Sequence, residues 1–295
     1  MKKILITIVA VGFVLFAYQA NAAEIIPYGS FNYKLSNNEN SSGKSYSKLE
    51  DNGSSIGVEV IDLGVEGDTI TGFAKLEVGV DTDDSGSDTF DSKLAYVGLD
   101  SDMGSLSVGR QSHPFTDNIG GKTSIFNVYG GGSDWNYGSR SSNSLKYSTT
   151  QSGLTLDTIG IVDGSSTNTN AFDEFEVTIS TKILGSDISV GYADDVNSDI
   201  SYWGVSGSTD LGALTVSSSY TIYDAATDKY GLEATASYSI FSVGYGDKEG
   251  TGLAYTAGVS HDLNDSVSVY AEGEMTDLDS GSDTTSWSIG SKFTF

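Results

Sequence analysis

The chain has 295 residues, with 36 Gly, 17 Tyr, two Pro, no Cys and a formal net charge of −25 at pH 7. That charge argues against nucleic acid and other polyanionic surfaces as partners, and the absence of cysteine excludes disulfide staples. A hydrophobic fraction of 38% is too low for a helical membrane protein.

Lys2 and Lys3 precede an apolar run from Ile4 to Tyr18, and Ala20-Asn-Ala22 then supplies a small-x-small pattern. This predicts a cleaved export signal over 1–22 and a single mature domain over 23–295. The run is shorter than the roughly 20 apolar residues a spanning helix needs. Losing its two lysines takes the charge from −25 to −27. No later stretch is apolar enough to span as a helix, so membrane entry requires a closed β-barrel, which satisfies every backbone group in lipid.

Alternation predicts strands over 26–35, 54–61, 69–80, 90–99, 104–110, 141–150, 154–163, 173–183, 187–196, 199–208, 213–224, 229–240, 242–248, 253–261, 266–276 and 286–295. The fold class expected is therefore all-β, a transmembrane antiparallel barrel of sixteen strands, with fourteen as the competing count. Hairpin signals stand at Asp102-Met-Gly104, Ser152-Gly153, Gly185-Ser-Asp187, Asp210-Leu-Gly212 and Asp262-Leu-Asn264. A soluble β-sandwich would alternate too, but the regular strand spacing runs the whole length without a domain break.

One segment breaks the rhythm. Gln111 to Arg140 holds Pro114, six Gly and the aromatics Phe115, Phe126, Tyr129, Trp135 and Tyr137, the composition of a long loop that packs inside the barrel. Late in the chain Leu253, Tyr255, Ala257 and Val259 oppose Ala254, Thr256, Gly258 and Ser260. In the next strand Val267, Val269, Ala271 and Met275 oppose Ser268, Tyr270, Glu272 and Glu274, which aims two carboxylates at the lumen. The last segment places Trp287, Ile289, Phe293 and Phe295 on one face, as a lipid-facing strand does.

Chemistry is sparse. Gly53-Ser-Ser-Ile-Gly57 fits the spacing of a nucleophile elbow, but no strand-to-helix turn is readable and the chain has only His113 and His261 to serve as base. Asp81-Thr-Asp-Asp-Ser-Gly86 and Asp277-Leu-Asp-Ser-Gly-Ser-Asp283 have calcium-loop ligands without the closing Glu. Solvated loops explain them, with weak divalent binding as the alternative. No catalytic residue, cofactor or resident metal is expected.

Tyr28-Gly29 at the first strand, Leu94-Ala-Tyr-Val-Gly-Leu99, Gly104-Ser-Leu-Ser-Val-Gly-Arg-Gln111 before a long loop, and a terminal Phe resemble the general porins of Gram-negative outer membranes. The resemblance spans the mature chain and implies a sixteen-stranded, usually trimeric barrel whose third loop folds inward to narrow an aqueous pore. It implies a constriction in which wall arginines face loop acids, here Arg110 and Arg140 against Asp117 or Asp134, with loop aromatics alongside. Ser54-Ser55, where a further basic residue often stands, implies a thinner positive wall. Gly290, Phe293 and Phe295 resemble the C-terminal signal read by the barrel-assembly machinery; outer-membrane lipid and lipopolysaccharide are the implied surroundings.

Arg110 carries a difficulty of its own. Strict alternation groups it with Leu106 and Val108 on the lipid face, so either a bulge at Gly109 turns it inward or it sits at the rim. The function expected is passive diffusion of small hydrophilic solutes and ions with cation preference. A solute-specific channel, for which Phe126, Tyr129, Trp135 and Tyr137 would offer a stacking path to sugars, and a structural or adhesive barrel are the alternatives.

Overall fold

In the computed structural model the described residues are 23–295, apart from 41, 65–68, 84–87, 131, 136–137, 165–171 and 197. The expected export signal and Tyr137 lie outside them.

Seventeen strand segments follow one another: β1 Glu24–Glu39, β2 Ser45–Asp51, β3 Ser55–Leu63, β4 Ile70–Val80, β5 Phe90–Ser101, β6 Gly104–Ser112, β7 Arg140–Gln151, β8 Leu154–Ile161 and β9 Glu174–Ile183. Then come β10 Ser186–Asp195, β11 Ile200–Leu211, β12 Leu214–Asp224, β13 Lys229–Tyr238, β14 Phe241–Lys248, β15 Gly252–Asn264, β16 Val267–Leu278 and β17 Thr284–Thr294. From β3 onward each pairs antiparallel with the next, and β17 returns to β1, with Phe31 opposite Phe293 and Leu35 opposite Ile289. β1 pairs with β3 through Glu24–Ser30 and with β2 through Tyr33–Glu39. These two segments are thus one stave bent at Asn52-Gly53-Ser54, and the closed barrel has sixteen staves.

The bend has a local cause. Gly53 has φ +84°, and one carboxylate oxygen of Asp51 accepts from the backbone N–H of Gly53 at 2.9 Å and of Ser54 at 3.0 Å, an Asx-type turn inside the strand. Gly53-Ser-Ser-Ile-Gly57 therefore runs from this bend into β3, with no helix to make it a nucleophile elbow. Ser45–Asp51, absent from the strand expectation, is polar and mostly exposed, so no core-facing alternation marks it.

Alternation sorts the side chains. In β17 Trp287, Ile289 and Phe293 are 42, 57 and 48% exposed whereas Ser288 between them is 1% exposed. The outward set is mostly apolar and the inward set mostly small or polar, including Asn32, Ser107, Ser144, Thr178, Ser206, Ser219 and Thr235 on the buried side, with Ile159, Tyr202 and Tyr270 among the large buried exceptions. Tight turns join β5 to β6, β7 to β8 and their successors at one rim. Ser152-Gly153 and Leu184-Gly185 both have positive φ at both positions, the geometry that matches the twist of a two-residue hairpin. Among the described residues no helix is long and apolar enough to cross a membrane.

The connection from β6 to β7 is the third at the opposite rim, and it turns inward. It begins with a short helix, α1 Pro114–Asn118, and a 3-10 turn, Gly120–Lys122. Phe115 and Ile119, both fully buried, pack with Ala193 and Tyr202 and against Trp135, Ile200 and Tyr223. This apolar cluster lies between loop and wall. Gly191 and Gly204 make room for it: a Cβ at Gly204 would stand 2.8 Å from both Phe115 Cζ and Ile119 Cγ2.

Candidate functional site

Carboxylates projecting from the wall hold the loop down. At its root, His113 Nδ1 lies 2.5 Å from Glu176 Oε1 and Nε2 lies 2.8 Å from Ser141 Oγ, while the other Glu176 oxygen accepts from Phe115 N–H at 3.0 Å. Burial works to lower the imidazolium's pKa, but the carboxylates of Glu174 and Glu176 packed against the ring outweigh it, raising His113 to about 9. Farther along, Asn118 Nδ2 donates to Asp157 and Thr178. Glu233 accepts from Thr123 Oγ1 at 2.5 Å and from Ser133 N–H at 2.8 Å.

At the far end the backbone itself is the donor. Glu272 accepts from the N–H groups of Asn127, Val128 and Tyr129 at 2.7, 2.8 and 3.3 Å, and Glu274 from Gly130 at 3.0 Å. Successive N–H groups gathered on one carboxylate form a nest, a fixed site for negative charge. Glu272 and Glu274 therefore lie on the inner face, but their charge is spent on the loop.

The aromatics are engaged in the same way. Phe115 is fully buried, and Phe126 packs over Gly244, where a Cβ would stand 2.8 Å from its ring. Tyr129 donates to Asn38 Oδ1 at 3.2 Å. Trp135 donates from Nε1 to the Tyr230 carbonyl, lies 5.0 Å from the Tyr223 ring and has Lys248 Nζ 4.3 Å from its centroid. These rings fasten the loop, while Phe126, Tyr129 and Trp135 stay partly exposed.

Fastened mainly along β8 to β16, with Tyr129 reaching β1 at Asn38, the loop faces a wall made by β1 and β3 to β7, and that wall is a ladder of lysines and acids. Lys34 is 3.6 Å from Glu50, Lys75 is 3.1 Å from Glu59, Lys93 is 4.0 Å from Glu77, and Lys146 is 3.9 Å from the loop's Asp117. Tyr28 donates to Glu77 at 2.9 Å, and Lys75 lies 4.8 Å from its ring centroid. Lys146 also lines a cavity of about 150 Å³ with Phe73, Tyr96 and Gln111.

Two arginines were expected in the constriction, and Arg110 is not there. Ser107 and Gln111, both buried, hydrogen-bond to each other at 2.5 Å on the inner face, which leaves Arg110 in the outward parity with Leu106 and Val108, 45 and 49% exposed. A bulge does occur, with Gly109 at φ +133° and a register shift before Gln111. The extra residue lies on β7, where Asn143 has φ +57°, so parity along β6 is unbroken. The guanidinium donates to the Ser92 carbonyl and to Ser142 Oγ in an exposed position. Arg140 is exposed at the first residue of β7, opposite Ser112, at the loop's root.

Of the two loop acids, Asp117 is half-exposed beside Lys146. Asp134 is 6% exposed and packs so closely on Gly120 that a Cβ there would overlap its carboxylate, so it serves the loop's own fold and is withdrawn from the constriction. Ser54-Ser55 places no cation on the wall, whose positive side chains are lysines on other strands. Their signal was available: Lys75 and Glu77 alternate with Leu76 and Val78.

At the C-terminus Phe295 closes the seam, its N–H and carbonyl pairing with those of Gly29 at 3.1 Å each. Gly290 leaves room for the Tyr270 ring, whose hydroxyl donates to Asn32 Oδ1.

Known structures share this architecture. OmpT of Vibrio cholerae with loop L8 deleted, an outer membrane protein, is 17% identical, with TM-score 0.75 over 93% of this chain and 100% of its own. Salmonella typhi OmpF, determined in complex with daunomycin, is 17% identical, with TM-score 0.74 over 93% and 98%. A triple mutant of the Rhodopseudomonas blastica porin is 18% identical, with TM-score 0.64 over 92% and 100%. No curated protein matches in sequence. The family model described as Gram-negative porin matches residues 7–290, and with that match over nearly its whole length the chain belongs to the Gram-negative porin family.

Proposed function

We propose that this porin forms a water-filled channel in the outer membrane for passive diffusion of small hydrophilic solutes and ions, with a preference for cations and without covalent chemistry. The observation that carries the reading is that the third loop is fastened to one side of the barrel, leaving opposite it a wall of partly accessible charged side chains. The cation preference rests on charge balance there. Lys34, Lys75, Lys93 and Lys146 each have a carboxylate within 4.0 Å, so the positive wall is neutralised locally while the chain as a whole is strongly acidic.

The same reading takes the mature chain to begin after residue 22, to assemble as a homotrimer through its apolar outer face, and to meet lipid and lipopolysaccharide there. The assembly machinery would read its C-terminal strand. A trimeric form is described for Vibrio cholerae OmpT.

The test is single-channel recording in a planar bilayer under a salt gradient. Stepwise openings, grouped in threes, with a reversal potential on the cation side are expected, and replacing Lys75 and Lys93 together by Ala should raise cation preference further. Silent bilayers from correctly folded protein would overturn the channel. An unchanged reversal potential in the double variant would overturn the role of the lysine wall.

A further inference from the structure

Beneath the root of the third loop lies a cluster of titratable side chains closed off from solvent. His113, Glu174 and Glu176 are 0, 2 and 0% exposed, and their ligand-capable atoms all lie within 4.8 Å of one another. Two carboxylates buried against a single imidazole are costly unless each finds a partner. Glu174 lacks one: its Oε1 points at His113 Nδ1 from 3.2 Å, yet makes no hydrogen bond, while Glu176 stands closer to the same nitrogen.

We propose that this cluster is a binding site for a divalent transition-metal ion of the zinc class, which locks the loop root to β9. One imidazole nitrogen and two carboxylates with a divalent ion are neutral overall, and this donor set suits zinc or cobalt better than calcium or magnesium, which prefer oxygen alone. The Nδ1 to Glu174 distance of 3.2 Å is close to the ligand spacing of a tetrahedral zinc site, about 3.3 Å. The 2.5 Å contact to Glu176 is closer than two ligands stand on one ion, so that side chain would draw back as the ion enters. The outer partners of a metal site are also in place. Ser141 Oγ holds Nε2 at 2.8 Å, and Phe115 N–H holds the second oxygen of Glu176 at 3.0 Å, which orients both ligands. This site stands independently of what the pore conducts.

The buried position means that metal enters during folding, so the test is refolding. The mature chain, unfolded with EDTA, is refolded into detergent micelles with zinc chloride or with EDTA, freed of loose metal by gel filtration and assayed for zinc by mass spectrometry. One zinc per chain and a raised unfolding temperature are expected. Zinc affinity should fall roughly tenfold or more in Glu174→Gln, and calcium should not substitute. Refolding with cobalt should give visible d–d bands in the folded wild type, a readout that needs no variant. Folded wild type carrying no more zinc than the EDTA sample, or equal zinc in Glu174→Gln, would overturn the site and leave a proton as the balancing charge.

Discussion

Arg110 and Lys75 are both cations on adjoining stretches of wall, and one alternation separates their roles. Lys75 points inward, 3.1 Å from Glu59, whereas Arg110 shares the outward face with Leu106 and Val108 and is held by Ser92 and Ser142. Near the rim it can reach polar neighbours, so the cost of a charge on the lipid side is small there. Arg110→Ser should therefore leave ion selectivity unchanged in the same bilayer recordings that register Lys75→Ala; a selectivity shift as large as that of Lys75→Ala would return the arginine to the pore. Glu272 is the other decisive residue. Removing its carboxylate leaves the N–H groups of Asn127, Val128 and Tyr129 without their acceptor, a loss of about 2–3 kcal/mol for charge-assisted bonds. Glu272→Ala should raise open-channel noise and expose the segment around Val128 to protease, while barrel circular dichroism stays constant.

Between residue and molecule, the third loop behaves as an inner lining whose shape is set by the wall beneath it. Gly191 and Gly204 flatten β10 and β11 where Phe115 and Ile119 rest, and any side chain at Gly204 must displace both. Gly204→Val should destabilise loop docking by about 1–3 kcal/mol, the usual cost of overpacking. Differential scanning calorimetry together with loop proteolysis would detect it, and wild-type protection of the loop would refute the packing argument. That this segment turns inward was readable from its composition, since a mobile external loop has no use for so many aromatics. Which side chains anchor it was not, because Glu174, Glu176 and Glu233 come from strands that meet the loop only after closure. In the sequence they read as ordinary inward positions of two late hairpins.

For the whole molecule, closure joins the two ends of the described chain. Phe295 forms both main-chain bonds to Gly29 and stacks 6.2 Å from Phe31, so the last residue completes the ring of hydrogen bonds that lipid demands. Deleting Phe295 should lower the yield of folded barrel in refolding from denaturant, read as loss of β-sheet circular dichroism at equal protein; an unchanged yield would show that the seam closes without it.

The sequence by itself determined the barrel, the sixteen staves and the inward face of nearly every strand, because a period of two survives without any knowledge of neighbours. It also marked the third loop as different. Only the tertiary structure decided which charges meet. It paired Lys34, Lys75, Lys93 and Lys146 with acids from neighbouring strands or from the loop, put Arg110 outside and buried Asp134. The reason is that alternation tells which side of the sheet a residue faces, while register, bulges and the path of a loop across the lumen set what stands opposite it.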